Sequence, residues 1–311
     1  MRVILAGLMT TLSLTEIGPA FAQCAAGYSQ RAIFLCEKSR PSGIVTPEPA
    51  VGMTLAFIDM FTHLSSTSQH SPNGMIWYEN LFNGKDFGDC ANEHSNGAYN
   101  PFAILPDGGL RIRNTFNPTY IDPYGFGRHQ YCGVLSSAFP DGSNSVRVSG
   151  DGYFDIRVKV PNGAPDGGTW PSFWMLSTNG GGIGSIELDV FEMYGNNPKY
   201  LQQYTHAYAP AFYPVPGSAY AGEPDGDLTT GWHTMGMKVT GSGTPKGQVC
   251  SYLDEKQTGC SPMPQFGKPN DAVKPDWAVM IELASGGGWP SVAPPAGYFD
   301  YFVDWVAVWR P

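Results

Sequence analysis

The stretch Ser185-Ile186-Glu187-Leu188-Asp189-Val190-Phe191-Glu192-Met193-Tyr194 sets three acids within six residues, in a chain of 311 residues that is only 14% charged. Apolar and acidic residues alternate at its start, the period of a β-strand with one face buried. Glu187 and Asp189 then share a face, while Leu188 and Val190 point into a core. Glu192 falls out of step, because strict alternation would put it beside Leu188. An unpaired carboxylate inside a core is costly, so a β-bulge at Val190-Phe191 is predicted, which returns Glu192 to the face of the other two acids. Carboxylates crowded on a desolvated surface repel, and at least one holds its proton tightly. That is an arrangement suited to glycosidic-bond chemistry. After the bulge, Glu187 and Glu192 stand four paired positions apart, roughly 13 Å between Cα atoms at strand rise. Side chains leaning together across a concave sheet then bring the carboxyls to about 5–5.5 Å, the separation of retaining enzymes. This geometry does not choose which glutamate attacks. Three acids on a solvent-facing edge strand satisfy the same spacing.

Other segments repeat the strand period. Phe154, Ile156, Val158 and Val160 alternate with Asp155, Arg157 and Lys159, a half-buried strand. Val279, Ile281 and Leu283 alternate with Met280, Glu282 and Ala284. In Phe302 to Trp309, the set Val303, Trp305 and Ala307 opposes Asp304, Val306 and Val308. Turn punctuation recurs at Pro106-Asp107-Gly108-Gly109, Pro140-Asp141-Gly142, Gly180-Gly181-Gly182 and Gly286-Gly287-Gly288. With no long helical stripe, the pattern is that of an all-β sandwich or barrel.

Residues 1–22 have the layout of a secretory signal peptide. Arg2 is followed by an apolar run from Val3 to Leu14 and by a cleavage site at Ala20-Phe21-Ala22. Residues 23–50 hold Cys24, Cys36 and three prolines, and read as a Cys-containing appendage and linker ahead of a domain over 51–311. An even count of six cysteines beside an export signal implies disulfides. Local spacing pairs Cys24 with Cys36 and Cys250 with Cys260, leaving Cys90 for Cys132. The net charge of −9 and pI near 5.0 exclude a basic surface for nucleic acid or for acidic lipids, so no membrane contact is expected after cleavage. Gly (39), Pro (27) and aromatics (13%) are abundant, which suits sugar stacking in an enzyme and in a binding module alike.

With Trp170-Pro171-Ser172-Phe173-Trp174-Met175-Leu176 set ahead of the acidic strand, the chain resembles glycoside hydrolase family 16. That family includes laminarinases, agarases, carrageenases, lichenases and xyloglucan transglycosylases. Its signature is a Gly-x-Trp-Pro-Ala-Phe-Trp-like run followed by E-x-D-x-x-E or the shorter E-x-D-x-E. The longer, bulged form found here resembles the laminarinase, agarase and carrageenase branch. The likeness extends over nearly all of 53–311, through Leu55 to Phe61, Gly109 to Arg113, Gly152 to Lys159, Trp232-His233-Thr234, Gly286 to Pro290 and Val303 to Val306.

The resemblance implies a concanavalin-like β-jelly-roll sandwich with a concave substrate cleft. It implies Glu187 as nucleophile, Asp189 as its orienting partner and Glu192 as general acid/base. The implied activity is that of a secreted retaining endo-β-glycosidase, on β-1,3- or mixed β-1,3/1,4-glucan. A galactan of agar or carrageenan type, and transglycosylation, are the alternatives. The competing class, a non-catalytic carbohydrate-binding jelly roll, is expected to have lost one of the acids, and all three are present. Glu282 stands where Asn is common in this branch. By alternation it faces away from Val279, Ile281 and Leu283 into the cleft, as a fourth carboxylate that alters substrate preference or the acid/base pKa. A solvated charge at a strand end is the plainer reading.

Trp170 and Trp289 read equally as sugar platforms and as core, and Trp174 as core. His206, alternating with Tyr204 and Tyr208, is a candidate for contact with sugar or with a catalytic acid. No metal triad is evident and no cofactor is expected. Some family members carry a structural calcium, and Asp304 fits one ligand position, a single side chain. A monomer acting on polysaccharide is the expected form.

Overall fold

The computed structural model describes residues 28–32, 35–38, 45–83, 88–119, 129–160, 168–179, 184–194, 200–208, 218–222, 228–266, 273–286 and 297–311. The chain divides into two compact units, Met1–Gly43 and Ile44–Pro311. In the first, Tyr28–Ala32 pairs antiparallel with Leu35–Lys38. Cys24, the expected partner of Cys36, lies outside the described residues.

The longer strands of the second unit are β1 (Thr54–Asp59), β2 (Leu110–Phe116), β3 (Gln130–Ser136), β4 (Gly152–Lys159), β5 (Thr169–Ser177), β6 (Ser185–Met193), β7 (Leu201–Tyr208), β8 (Ser218–Gly222), β9 (His233–Thr240), β10 (Gln248–Leu253), β11 (Lys256–Pro262), β12 (Asp276–Ser285) and β13 (Tyr298–Arg310). They form two antiparallel layers. One runs β8-β7-β6-β5-β12-β3. The other runs β11-β10-β9-β4-β13, and β13 then pairs with β2 over its first half and with β1 over its last. The start of β3 pairs with β2 and its end with β12, so this strand joins the two layers. The all-β jelly-roll expectation holds.

Between the layers lies one main core, with Phe154, Ile156 and Val158 of β4 facing Leu188, Val190 and Phe191 of β6 and Val279, Ile281 and Leu283 of β12. Apolar residues at every second position make this possible, since each strand then turns one whole row inward.

Two expectations change. β4 is buried on both faces, not half-buried: Tyr153 and Asp155 are inaccessible, under an outer cluster of Ala50, Tyr252, Trp305 and Trp309. In β13 the parity breaks. Arg157 pairs with Trp305 and Val158 with Val303, so Asp304 is an extra residue in a bulge. Val303, Val306 and Val308 therefore share the main core, and Trp305, Ala307 and Trp309 the outer cluster.

Cys90–Cys132 and Cys250–Cys260 are disulfide-bonded, the second as local spacing implied and the first as the pair left over. The first packs with Ala284 beneath Trp170. Among the described residues no helix is long and apolar enough to cross a membrane.

Candidate active site

The predicted bulge is present. On one side of β6, Asp189 pairs with Tyr204 and Glu192 with Gln202, so two residues, Val190 and Phe191, oppose Gln203 alone. On the other side Phe173 pairs with Phe191 and Trp174 with Asp189, passing over Val190. Both bulge residues are buried in the core, and Glu192 emerges on the face of Glu187 and Asp189. All three acids line a cleft of about 270 Å³. Glu187 and Glu192 stand opposite His206 and Gln202, four positions apart on β7.

Each acid has its own partners. Glu187 accepts from the Tyr208 hydroxyl at 3.1 Å. Asp189 is 3% exposed, and its Oδ2 lies 3.2 Å from His206 Nε2. That approach is close enough for an ion pair but outside hydrogen-bond alignment, so Oδ2 has no donor. Glu192 accepts from the Trp170 indole N–H at 2.8 Å and from the Tyr194 hydroxyl at 3.5 Å. His206 lies between the rings of Tyr204 and Tyr208, with centroids 4.6 and 6.2 Å away.

Burial raises every one of these carboxyls. Glu192 is pushed up to about 8, by burial first and then by the charge of Asp189, against the pull of its Trp170 donor. Asp189 rises well above the usual carboxylate range, through burial and then through Glu187. Glu187 also rises by burial, offset by His206 and by the Tyr208 hydrogen bond. The cleft therefore favours protons shared among the acids at neutral pH, with Glu192 a protonated group and Glu187 the one whose ionised form its neighbours support.

Glu282 faces the same cleft, as alternation predicted. It stands opposite Ser172, which on its other side stands opposite Glu192. Its carboxyl is 2% exposed and accepts from the Trp174 indole at 3.1 Å. Burial lifts it to about 7, and the charges of Glu192 and Glu187 add to this.

The core reading of Trp174 is corrected: β5 turns Phe173 and Met175 inward, and Trp174 outward beside Leu81, Val134 and Met280 on the cleft face. Trp170 is half-buried at the cleft, its ring 5.0 Å from that of Tyr194. Trp289 lies outside the described residues. Asp304 is buried and paired with Arg157, whose guanidinium lies 5.2 Å over the Trp232 ring. Among the described residues, one group of metal-ligating type, Glu187, Asp189 and His206, brings its atoms within 4.8 Å, and it is the acid cluster itself.

Tyr194 and Tyr208 were not candidates from the sequence. Each stands two residues beyond a candidate, Glu192 and His206, the spacing that keeps a face in extended chain, which was the available signal. No lysine or arginine lines the cleft among the described residues.

No family model matches the chain. In sequence it is 30% identical over 136 residues, 44% of its length, to the endo-1,3-1,4-β-glycanase EglC of Rhizobium meliloti (strain 1021), and spans 25% of that protein. In structure it is similar to SCLam, a non-specific endo-β-1,3(4)-glucanase from family GH16, with a TM-score of 0.61 and 17% identity over 86% of this chain and 93% of that one. The catalytic domain of an endo-1,3-β-glucanase (laminarinase) from Thermotoga petrophila RKU-1 gives a TM-score of 0.60 at 17% identity, over 83% of this chain and 98% of that one. LamAcat from Zobellia galactanivorans gives 0.57 at 16% identity, over 83% and 98%. The chain thus has the fold of the family GH16 endo-glucanases, with a bulged acidic strand in its cleft.

Proposed function

We propose that the chain is a family 16 glycoside hydrolase, a secreted retaining endo-β-glycosidase that cuts internal linkages of β-1,3- or mixed β-1,3/1,4-glucan by double displacement. The observation that carries this reading is the bulge that turns Glu192 onto the face of Glu187 and Asp189, in a setting that keeps Glu192 protonated up to about 8.

In the first step the Glu187 carboxylate attacks the anomeric carbon while protonated Glu192 gives its proton to the departing glycosidic oxygen. The result is a glycosyl-enzyme ester. In the second step Glu192, now ionised, takes a proton from water as that water attacks the anomeric carbon and frees Glu187. Asp189, between the two on the same face, is the orienting partner of Glu187. Its contact with His206 limits how far it can turn. Trp170 fixes one oxygen of Glu192 and Tyr208 one of Glu187. Trp170, Trp289 and His206 are proposed substrate contacts, and Glu282 a tuning group behind Trp174.

The glucan assignment draws on the named activities of the relatives and on a cleft without lysine or arginine among its described residues, which suits an uncharged polymer better than a sulfated galactan. Secretion draws on the layout of residues 1–22 and on the two disulfides.

Reducing-sugar release from a panel of β-glucans and galactans tests the reading, with Glu187→Gln and Glu192→Gln as controls. Release from β-1,3- or mixed-linkage glucan, abolished by Glu187→Gln, is expected. Activity that survives Glu187→Gln, or none on any polymer, sinks it. An NMR time course is expected to show the β-anomer first, and initial inversion would contradict double displacement.

A further inference from the structure

Gln203 lies on the core side of β7 and is fully buried. Its place in the register is specific, as the single residue opposite Val190 and Phe191. A bulge takes backbone groups of the longer strand out of the ladder, and a buried carbonyl left without a donor is costly. Gln203 Nε2 donates to the Val190 carbonyl at 2.8 Å. The same nitrogen faces the carbonyls of Tyr252 and Gly236, at 3.3 and 3.4 Å, a registered pair on β10 and β9 of the opposite layer. Its Oε1 accepts from the Thr258 hydroxyl at 2.9 Å. Thr258 is itself an extra residue: Ser251 pairs with Gly259 and Tyr252 with Gln257, so β11 bulges at that point. One side-chain amide thus ties the bulge beneath the acid cluster to a bulge in the other layer.

Packing alone does not call for this residue, since a leucine or methionine fills a similar volume without desolvating an amide. The amide supplies direction. If the bulge relaxed by one residue, everything beyond Val190 would change face, and Glu192 would turn into the core. We propose that Gln203 is a positioning residue of the acid/base, holding the Val190 carbonyl to the opposite layer so that Glu192 stays aimed into the cleft. This rests on the reading of Glu192 as the acid/base, and Gln203 touches neither substrate nor reacting atoms.

The test compares Gln203→Leu and Thr258→Val with wild type. Gln203→Leu is expected to lower kcat by about a hundredfold with little change in KM, as a misplaced catalytic group does. It should also move the alkaline limb of the rate profile away from pH about 8. Thr258→Val, which cuts only the far end of the tie, should shift both in the same direction by less, and it serves if Gln203→Leu does not fold. In a Glu192→Gln background, Gln203→Leu should cause no further loss on an aryl β-glycoside whose leaving group needs no proton. Carbon-13 NMR titration of the glutamate carboxyls reads the same placement without turnover, and Glu192 should titrate differently in either variant. Normal kcat, limb and Glu192 titration beside a lowered melting temperature would reduce Gln203 to packing and overturn the proposal. A wild type that cleaves no glycan would fail the functional reading alone, because the titration still reports whether Gln203 holds Glu192.

Discussion

In β6 the extra residue is Val190, and its insertion swings Glu192 onto the cleft beside two other acids. In β13 the extra residue is Asp304 itself, turned toward Arg157. Burial hardly separates the two acids, with Glu192 at 8% exposed and Asp304 at 1%. The partner does. Asp304 meets the Arg157 guanidinium in a buried ion pair. Glu192 is buried beside another acid, so its charge is disfavoured and its proton is retained, against the pull of the Trp170 indole N–H. The same backbone device yields a structural ion pair where a cation faces the bulge, and an exchangeable proton where none does.

Supplying the cleft with such a cation breaks the contrast most directly. Ser172→Lys puts an ammonium opposite Glu192 and Glu282. It should pull Glu192 down into the ordinary carboxylate range and cut kcat at neutral pH by about 10²–10⁴-fold, with the alkaline limb moved to lower pH. Rate profiles of the variant and wild type check this.

The converse change removes the cation from the other bulge. Arg157→Met removes the guanidinium from the buried Asp304 carboxylate and should cost about 3–5 kcal/mol, with a melting temperature lower by roughly 10 °C. Activity per folded molecule is expected to stay unchanged, and adding Asp304→Asn should recover most of the stability. Calorimetry on the single and double variants decides.

A smaller effect reads the cleft acids by pH. A carboxyl whose folded pKa is raised stabilises the fold fully below its unfolded pKa and loses that contribution as pH rises through the folded value. For Glu282 the window runs from about 4.5 to about 7. Glu282→Gln, which cannot ionise, should therefore raise the melting temperature at pH 8 by several degrees and leave it little changed at pH 4. Thermal melts at the two pH values test the sign.

The smallest expected effect concerns Glu187, the proposed nucleophile. Tyr208→Phe removes the hydroxyl donated to Glu187, which makes the carboxylate less favourable and should move the acidic limb to higher pH with up to about a tenfold loss in kcat/KM. An unchanged acidic limb would separate Tyr208 from the ionisation of Glu187.

The bulge at Val190-Phe191 was legible because a charge stood at core parity among apolar neighbours, and that contrast demanded a shift. Asp304 stood equally out of step, sharing its nominal face with Val306 and Val308. Both faces of that strand are apolar, one to the main core and one to Trp305, Trp309 and Tyr153. Parity therefore carried no contrast there, and the bulge went unseen. Trp174 was misread for a related reason. A tryptophan in an apolar run looks like core, while the inward row of β5 is Phe173 and Met175. The disulfide Cys250–Cys260 followed from spacing, which favours short closures, and Cys90–Cys132 was the pair left over.

Alternation along one strand is a local property, so the sequence by itself determined the all-β class, the three acids on one face and the bulge that keeps them there. Which groups meet those acids depends on register between strands distant along the chain. Trp170 on Glu192, Tyr208 on Glu187, His206 on Asp189 and Gln203 beneath Val190 were settled only when β5 and β7 aligned with β6 and the second layer closed over the core. Pairing and packing bring those partners within a few ångströms, and no period within a single segment encodes that distance.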